Sequence, residues 1–350
     1  MAKKVAIYPN SSDLNSGGGL FYVLCFAKTF QDIGYSVDII FKENIDSKKI
    51  KINYNLYGFN ILIEKKYLFL NQITTALFEF FNYDIVILHS NYIPRLTFVK
   101  KAYILCDFPF SKKIKLKEKF RLLFWKNCIT NSEFTKYWIG QFWSKKAIVI
   151  NPPLLDSSEF STKEDVFISI GRFNSGLRSK NQHLILKAFI KTFEKNQHNY
   201  KLIFLGFVQD KKYLDELIKT ADGYPVEFYT NISHNEKKHL LSSSKFYIHA
   251  CGYNVNVNTN PEHVEHFGIS IIESLSAGTI PLVLPIGGPK EIIENDFNGL
   301  YWNTTDDLVK LMTNIFNNKI DENRLRNNAI QSSESYFYET FKKKVSNLII

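Results

Sequence analysis

The sequence predicts an α/β protein of two domains, each built on a parallel β-sheet. The chain has 350 residues, and a single hydrophobic core usually stops growing below that length. Hydrophobic residues make up 45% of the chain and charged residues 22%, which is a globular composition that can bury two cores. Short β-branched runs alternate with longer helical patterns, as is typical of βαβ units.

The predicted strands fall into two sets, which are separated by Asn151-Pro152-Pro153. These residues break the alternating pattern, so we place the linker between the domains at 151–161. The first set of strands is 5–8, 36–41, 84–88, 102–105, 127–130 and 147–150, and the second is 166–170, 201–205, 227–229, 246–249 and 281–284.

The cysteines and apolar segments predict a cytoplasmic chain that can touch a membrane but does not cross it. None of the four cysteines forms a CxxC pair or has metal-ligand spacing with a histidine, which argues against a disulfide framework and a zinc site. The apolar run 5–8 is too short for a signal-peptide core, and no later apolar stretch is long enough to span a bilayer.

The excess of positive over negative charge lies wholly in the first half of the chain. Residues 1–153 contain 22 Lys and Arg against 11 Asp and Glu, whereas residues 154–350 contain 22 against 23. Such asymmetry usually marks an anionic partner, which here would be nucleic acid, a phosphorylated acceptor or a lipid headgroup surface.

Gly17-Gly18-Gly19 lies between the first predicted strand and an apolar helix that starts at Leu20. Glycines in such a turn let backbone N–H groups approach a phosphate, and the helix N-terminus adds partial positive charge. A plain glycine-rich turn explains the triplet equally well.

A second candidate site follows the predicted strand 166–170. Gly171-Arg172 ends that strand, and the next loop carries Arg178 and Lys180 towards a helix. Fixed cations in this position would neutralise the charge that builds on a departing diphosphate. Arg172 and Lys180 are the candidates for this role. The alternative is that they are solvated loop charges, which is the commoner case for a single Lys or Arg.

The most specific pattern runs from Glu265, on a loop, to Glu273, inside a predicted helix. The two carboxylates can address opposite ends of one extended ligand, while backbone N–H groups at the helix start face its phosphate or sugar oxygens. A surface charge or a helix cap would explain either glutamate alone, but not the ordered set that continues into Gly287-Gly288-Pro289 and Glu291.

The segment from Glu265 to Glu273 resembles the paired-glutamate motif of the retaining glycosyltransferase family four. The resemblance covers nearly the whole chain, and two first-domain segments are similar to the lipid-linked-oligosaccharide mannosyltransferase branch of that family. The matching segments are 171–173, 180–182, 261–268, Gly287-Gly288 and 298–300, with 131–135 and 149–153 carrying the likeness to the branch.

The resemblance implies a GT-B fold, in which two Rossmann-like domains face each other across a cleft. Residues 1–152 would form the acceptor-side domain and residues 153–332 the nucleotide-sugar donor-binding domain. A C-terminal helix at 333–350 would cross back onto the first domain.

The resemblance also implies roles for single residues. Glu273 would hold the donor ribose hydroxyls and Glu265 the transferred sugar, while Arg172 and Lys180 would neutralise the departing diphosphate. The expected catalytic residues are Glu265, Arg172, Lys180 and Asp107, and the expected donor-binding residues are Gly18, Gly19, Arg172, Lys180, His266, Phe267, Gly268, Ile269, Ser270 and Glu273.

The expected reaction retains the anomeric configuration and uses neither a metal nor a cofactor. The sequence contains no Asp-x-Asp triplet, which is the usual metal-and-diphosphate device of the other large glycosyltransferase fold. In this family retention resembles a front-face displacement, in which a donor phosphate oxygen accepts the proton of the attacking hydroxyl. The branch resemblance favours GDP-mannose as the donor, with a UDP-sugar as the alternative.

Asp107 stands where many family members carry a histidine close to the reacting sugar. It either contacts the sugar or acceptor, or it caps a turn before Pro109. His89 ends the predicted strand 84–88 and would then face the ligand edge of the sheet, although a hydrogen-bonded structural role is commoner for a single histidine. The loop between Arg172 and Lys180 is longer than the family norm, which weakens the transfer of a role to Lys180.

Residues 112–126 combine an apolar stripe with many lysines. Leu116, Phe120, Leu123 and Phe124 recur at helical spacing, which predicts an interfacial helix that docks on an anionic membrane surface. The alternative is a helix packed on the core with a solvated lysine face. Docking would place the protein at the inner face of the membrane, with a glycan or lipid-linked acceptor.

Other function classes were weighed against sugar transfer. A non-catalytic or differently acting GT-B protein that binds a nucleotide sugar, such as an epimerase, is the alternative, and the paired glutamates argue against the epimerase. The chain is too short for a phosphorylase. No nucleic-acid partner is expected, because the basic first half contains no known recognition module.

Overall fold

The computed structural model describes residues 3–10, 17–41, 64–67, 72–155, 161–176, 178–195 and 198–349. The chain divides into two compact units, the first comprising Met1–Leu155 and Tyr336–Ile350 and the second Asp156–Ser335. The predicted linker 151–161 spans the first of these limits, and its residues 156–160 lie outside the described part of the chain.

The first unit contains a seven-stranded sheet in the order β3-β2-β1-β4-β5-β6-β7, and every neighbouring pair is parallel. One strand, β3, has no counterpart among the predicted strands, because its sequence Glu-Lys-Lys-Tyr lacks the β-branched pattern that marks the others. The strands are β1 (Lys4–Tyr8), β2 (Ser36–Phe41), β3 (Glu64–Tyr67), β4 (Ile85–His89), β5 (Lys101–Cys106), β6 (Asn127–Thr130) and β7 (Ala147–Val149).

Four helices are described in the first unit before the linker, and one of them, α4 (Glu133–Trp143), begins at a side-chain cap. At the start of α4 the Ser132 side chain accepts a hydrogen bond from the Thr135 backbone N–H at 3.1 Å, which satisfies one of the helix's free donors. These helices are α1 (Gly18–Asp32), α2 (Gln72–Asn82), α3 (Leu116–Leu123) and α4 (Glu133–Trp143).

The second unit contains a six-stranded parallel sheet in the order β10-β9-β8-β11-β12-β13. The two-residue strand β13 is too short to leave a pattern in the sequence and was not predicted. The strands are β8 (Glu164–Ile170), β9 (Lys201–Gly206), β10 (Val226–Thr230), β11 (Ser244–His249), β12 (Ile280–Val283) and β13 (Leu300–Tyr301), and the helices are α5 (Gln182–Phe193), α6 (Lys211–Thr220), α7 (His234–Ser243), α8 (Ile269–Ser276), α9 (Pro289–Ile292), α10 (Thr305–Phe316) and α11 (Glu322–Ser333).

The chain then returns to the first unit, as predicted, through the C-terminal helix α12 (Tyr338–Ile349). The Phe341 ring packs edge-on against Phe26 of α1, with the ring centroids 5.0 Å apart. Tyr338 Oη donates a hydrogen bond to Asp32 Oδ2 at 2.8 Å, and Tyr103 Oη of β5 donates one to the Leu348 carbonyl at 2.9 Å. These contacts fix the end of the chain on the first unit's core.

Candidate functional site

Each sheet contains one point where the order of the strands reverses. It lies between β1 and β4 in the first unit and between β8 and β11 in the second. Ligands of open α/β sheets bind outside the carboxyl ends of the strands at such a switch point. His89 ends β4, His249 ends β11, and Gly171-Arg172 follows β8, so both switch points carry polar residues with catalytic potential.

In the second unit Lys180, Glu265 and His249 meet at this edge. Lys180 Nζ forms an ion pair with Glu265 Oε2, and His249 Nε2 lies 3.1 Å from the same oxygen. The histidine side chain is only 1% exposed, whereas that of Glu265 is 21% exposed. The buried histidine and the lysine therefore hold a carboxylate that still reaches solvent.

The environment fixes the protonation of this cluster. Burial alone would raise the pKa of the Glu265 carboxyl, but the charge of Lys180 and the hydrogen bond with His249 outweigh it and hold that pKa well below its usual range. Burial lowers the pKa of His249, which the hydrogen bond with Glu265 only partly offsets. At neutral pH a neutral His249 therefore donates its Nε2–H to an ionised Glu265.

Two glycines allow the loop that carries Glu265 to take its shape. Gly268, the residue before α8, has φ +114°, and a Cβ there would lie 2.7 Å from Ile271 Cδ1. The Gly288 N–H donates to the Glu265 carbonyl at 2.9 Å, and a Cβ on Gly288 would collide with the backbone of Phe267. The Gly287-Gly288 turn thus packs closely against the Glu265 loop and hydrogen-bonds to it.

The predicted donor-binding segment 266–270 forms the entry to α8. His266 and Phe267 are buried, at 5% and 3% exposure, and the chain turns at Gly268 into the first helical turn, which begins at Ile269. The Ser270 hydroxyl lies 2.7 Å from Tyr247 Oη. A contact with the nucleotide sugar would therefore use backbone N–H groups of this turn.

Glu273 lies one turn further along α8 and has a lysine partner of its own. Lys237 Nζ of α7 donates to Glu273 Oε1 at 2.7 Å. The other oxygen, Oε2, is buried and has no hydrogen-bond partner within the described part of the chain. Each glutamate of the motif is thus held by its own lysine, which is distant from it in the sequence.

In the first unit the structure brings together Asp107 and His89. His89 Nε2 lies 2.7 Å from Asp107 Oδ2, and the side chains are 0% and 22% exposed respectively. The Asp107 backbone is fixed as well, because its N–H donates to Asn91 Oδ1 at 2.9 Å and its carbonyl accepts from Thr135 Oγ1 at 3.1 Å. The arrangement parallels His249 with Glu265: a buried strand-end histidine holds a carboxylate that faces outward.

The remaining predicted residues are Gly18, Gly19 and Arg172. Gly18 and Gly19 form the first turn of α1 in the first unit, and residues 11–16 before them lie outside the described chain. Arg172 is exposed at the end of β8, and its charge acts on Lys180. Among the described residues no group of three or more His, Cys, Asp or Glu side chains could hold a metal ion.

His249 and Lys237 are the two site residues that the sequence prediction missed. His249 ends a predicted strand as His89 does, so the strand-end rule that selected His89 would also have selected it. Lys237 gives no such signal, since it is one of two adjacent lysines in α7 and its partner is 36 positions away.

When the pH is lowered from about 7.5 to about 5.5, the free energy of unfolding is expected to fall more for the wild-type chain than for the His249→Gln variant. The folded-state pKa of His249 is below its ordinary value of 6.5, so the unfolded chain takes up a proton first. This stabilisation is present above pH 6.5 and is lost as the pH falls through the folded-state pKa. Urea unfolding of both proteins measures the difference, with His239→Gln on the exposed side of α7 as control; parallel pH profiles for all three would contradict the assignment.

Comparison with known proteins gives matches in sequence and in fold. A profile of the family described as "Glycosyl transferases group 1" matches residues 153–332. The GDP-Man:Man(3)GlcNAc(2)-PP-Dol alpha-1,2-mannosyltransferase of Dictyostelium discoideum is 28% identical over 208 residues, covering 54% of this chain and 38% of that protein. Its Xenopus laevis namesake is 31% identical over 181 residues, covering 46% and 34%. The chain thus spans well under half the length of either relative.

Solved structures resemble nearly the whole chain. A glycosyltransferase from Rickettsia africae ESF-5 has a TM-score of 0.77 at 15% identity, covering 99% of this chain and 98% of its own. Anabaena HepE in complex with UDP and glucose gives 0.72 at 14% identity, with coverage of 99% and 98%. WaaG, a glycosyltransferase involved in lipopolysaccharide biosynthesis, gives 0.66 at 12%, with 99% of each chain covered. The fold is therefore the GT-B fold that the sequence resemblance implied.

Proposed function

Because the chain belongs to the group 1 family of glycosyl transferases, we propose that it moves a hexose from a nucleotide sugar to a glycan or lipid-linked acceptor. The observation that carries the proposal is the Lys180–Glu265–His249 cluster at the switch point of the second unit. It lies within the segment that the family profile matches, at the edge of the sheet where nucleotides bind in α/β folds.

Mannose carried by GDP is the proposed donor. The curated relatives are GDP-mannose enzymes by name, which supports this choice, while the likeness to HepE, solved with UDP and glucose, supports a UDP-sugar as the alternative. Glu273, with one carboxylate oxygen left to accept a hydrogen bond, is proposed to bind the ribose.

The proposed reaction is a front-face displacement with retention of configuration. The acceptor oxygen bonds to the anomeric carbon as the bond from that carbon to the diphosphate oxygen breaks. The acceptor proton passes to a donor phosphate oxygen, so no protein base and no metal is required. Arg172 and Lys180 would neutralise the diphosphate, for which Lys180 must exchange Glu265 for phosphate while His249 keeps Glu265 in place to contact the sugar.

Asp107 is proposed to contact the reacting sugar or the acceptor hydroxyl in the first unit. Its carboxylate is partly exposed at the carboxyl edge of the sheet, and His89 holds it from the buried side. A carboxylate in this position can accept a hydrogen bond from a sugar hydroxyl without taking its proton. This role matches that of the histidine which many family members have here.

An anionic membrane surface is proposed to bring the enzyme to its acceptor at the inner face of the membrane. Helix α3 is shorter than the predicted pattern 112–126, but three of its apolar residues point outward: Leu116, Phe120 and Leu123 are 84%, 58% and 76% exposed. The alternative interpretation requires this apolar stripe to pack on the core, whereas these three side chains are exposed. The surrounding lysines supply the charge complement to anionic headgroups.

Helix α2 supports the same surface. Its Phe78 packs on the core cluster that also receives Leu122 of α3, so both helices cover one side of the sheet. On its outward side Phe80 and Phe81 are 51% and 77% exposed. Large apolar side chains exposed next to a lysine-rich helix are typical of an interfacial contact. No helix among the described residues is both long and apolar enough to span a bilayer.

The variant Phe120→Ser/Leu123→Ser is expected to lose most of its binding to anionic vesicles, because it removes apolar groups that would enter the headgroup region. Co-sedimentation with phosphatidylserine-rich and with pure phosphatidylcholine vesicles, at low and high salt, measures this binding. Ile218→Ser in α6, which also removes an exposed apolar side chain (47%), serves as control. If wild-type protein stays out of both pellets at low salt, a water-soluble acceptor becomes the better proposal.

The proposed function is tested by a thermal-shift screen of nucleotide sugars followed by a transfer assay. The preferred donor stabilises the fold by mass action, and GDP-mannose is expected to give the largest shift. NMR of the product should show the donor's anomeric configuration, and a chelator should leave the rate unchanged. Donor binding without transfer or hydrolysis would favour a binding protein, and return of an isomerised nucleotide sugar would favour an epimerase.

A further inference from the structure

We propose that Lys237 is a positioning residue for nucleotide recognition, which holds the Glu273 carboxylate in place to accept hydrogen bonds from the ribose hydroxyls. The inference rests on the proposed function, since it assumes that a nucleoside diphosphate binds at this edge of the second unit. It assigns a role to a lysine outside the paired-glutamate motif.

The start of α7 fixes the position of the Lys237 backbone. Ser233 Oγ accepts from the Glu236 N–H at 3.2 Å, and Glu236 Oε2 accepts from the Ser233 N–H at 2.8 Å, so the start of α7 is locked in a capping box. The Lys237 N–H donates to the Ser233 carbonyl at 3.0 Å. The lysine therefore extends from the first, rigid turn of α7.

The ion pair determines which oxygen of Glu273 remains for a ligand. Lys237 Nζ lies 2.7 Å from Oε1, and the two side chains are 25% and 21% exposed. Oε2 is buried and has no hydrogen-bond partner within the described residues. Buried carboxylate oxygens nearly always accept hydrogen bonds, so a ligand hydroxyl that reaches Oε2 would supply the hydrogen bond that it lacks.

A ribose diol fits that requirement. Its hydroxyl groups are neutral donors, and a carboxylate is the strongest acceptor that a protein can offer them. Lys237 contributes by fixing the Glu273 rotamer before the ligand arrives, which lowers the ordering cost of binding. The lysine would thus act only through Glu273, and its effect should disappear when the ribose has no hydroxyl groups to donate.

Binding of GDP and of 2′,3′-dideoxy-GDP to wild type and to Lys237→Met tests this dependence by calorimetry, with the UDP pair used if UDP is the tighter ligand. The variant is expected to bind GDP about tenfold more weakly, equivalent to about 1.4 kcal/mol, and dideoxy-GDP as wild type does. Lys238→Met removes the same charge from the next position and should bind both ligands like wild type. In a Glu273→Gln background the Lys237→Met change should have no further effect.

Several outcomes would overturn the inference. An equal loss for both nucleotides would mean that Lys237 attracts phosphate or supports the fold in general, and no loss at all would mean that Glu273 does not need it. Wild type that binds both nucleotides equally would exclude a ribose contact. Wild type that binds neither GDP nor UDP would overturn the proposed function itself, and the inference with it.

Discussion

Replacing Arg172 by alanine is expected to slow sugar transfer by about 10²–10³-fold, the usual cost of removing one preorganised group that stabilises developing charge. Arg172 follows β8 at the switch point of the second unit and is exposed. The neighbouring cation, Lys180, is already paired with Glu265. Arg172 is therefore the cation that can meet a diphosphate without first giving up an internal carboxylate.

The measurement is single-turnover transfer from the preferred nucleotide sugar, with donor affinity determined separately. The loss should fall mainly on the rate constant, because the charge on the leaving diphosphate grows as the sugar bond breaks. Arg324→Ala removes another exposed arginine of the same unit, which pairs with Asp296 at 2.8 Å, and should retain full activity. Wild-type turnover in Arg172→Ala would assign the diphosphate contact to other residues.

The features that can be predicted well from the sequence are those that depend on residues close to one another along the chain. The strand β11 follows from an aromatic and β-branched run that ends at His249, and the segment from Glu265 to Glu273 is contiguous, so a loop glutamate followed by a glutamate inside the next helix can be predicted from the local pattern. The length of α3 was predicted less well. Lys112, Lys113 and Lys115 resemble the helix in composition, but the helix begins only after Lys115, which has an extended backbone (ψ 161°) and is the N-cap.

The features that the sequence left undetermined depend on contacts between distant segments. Lys180 and Glu265 are 85 positions apart, and nothing in either neighbourhood selects one for the other. The same holds for Lys237 with Glu273. Asp107 shows the limit most clearly. The sequence shows that it replaces the family's histidine and that His89 ends a strand, but the contact between the two follows only when β4 and β5 lie side by side.

Replacing Arg95 by leucine is expected to destabilise the first unit by about 3–5 kcal/mol, because it leaves a buried charge without its partner. Glu79 of α2 is fully buried, and its carboxylate accepts hydrogen bonds from the Arg95 guanidinium and, at 3.3 Å, from the Thr97 hydroxyl. The guanidinium also lies 4.7 Å from the centre of the Tyr8 ring at the end of β1. Arg95 thereby connects α2 to the switch-point strand.

Three of the four tryptophans, Trp125, Trp138 and Trp143, lie in the first unit, so tryptophan fluorescence during urea unfolding follows mainly that unit. The double variant Arg95→Leu/Glu79→Leu should recover most of the lost stability, since it removes the unpaired charge and leaves apolar side chains in its place. A double variant as unstable as Arg95→Leu would show that the arginine acts through its packing on Tyr8 and not through Glu79.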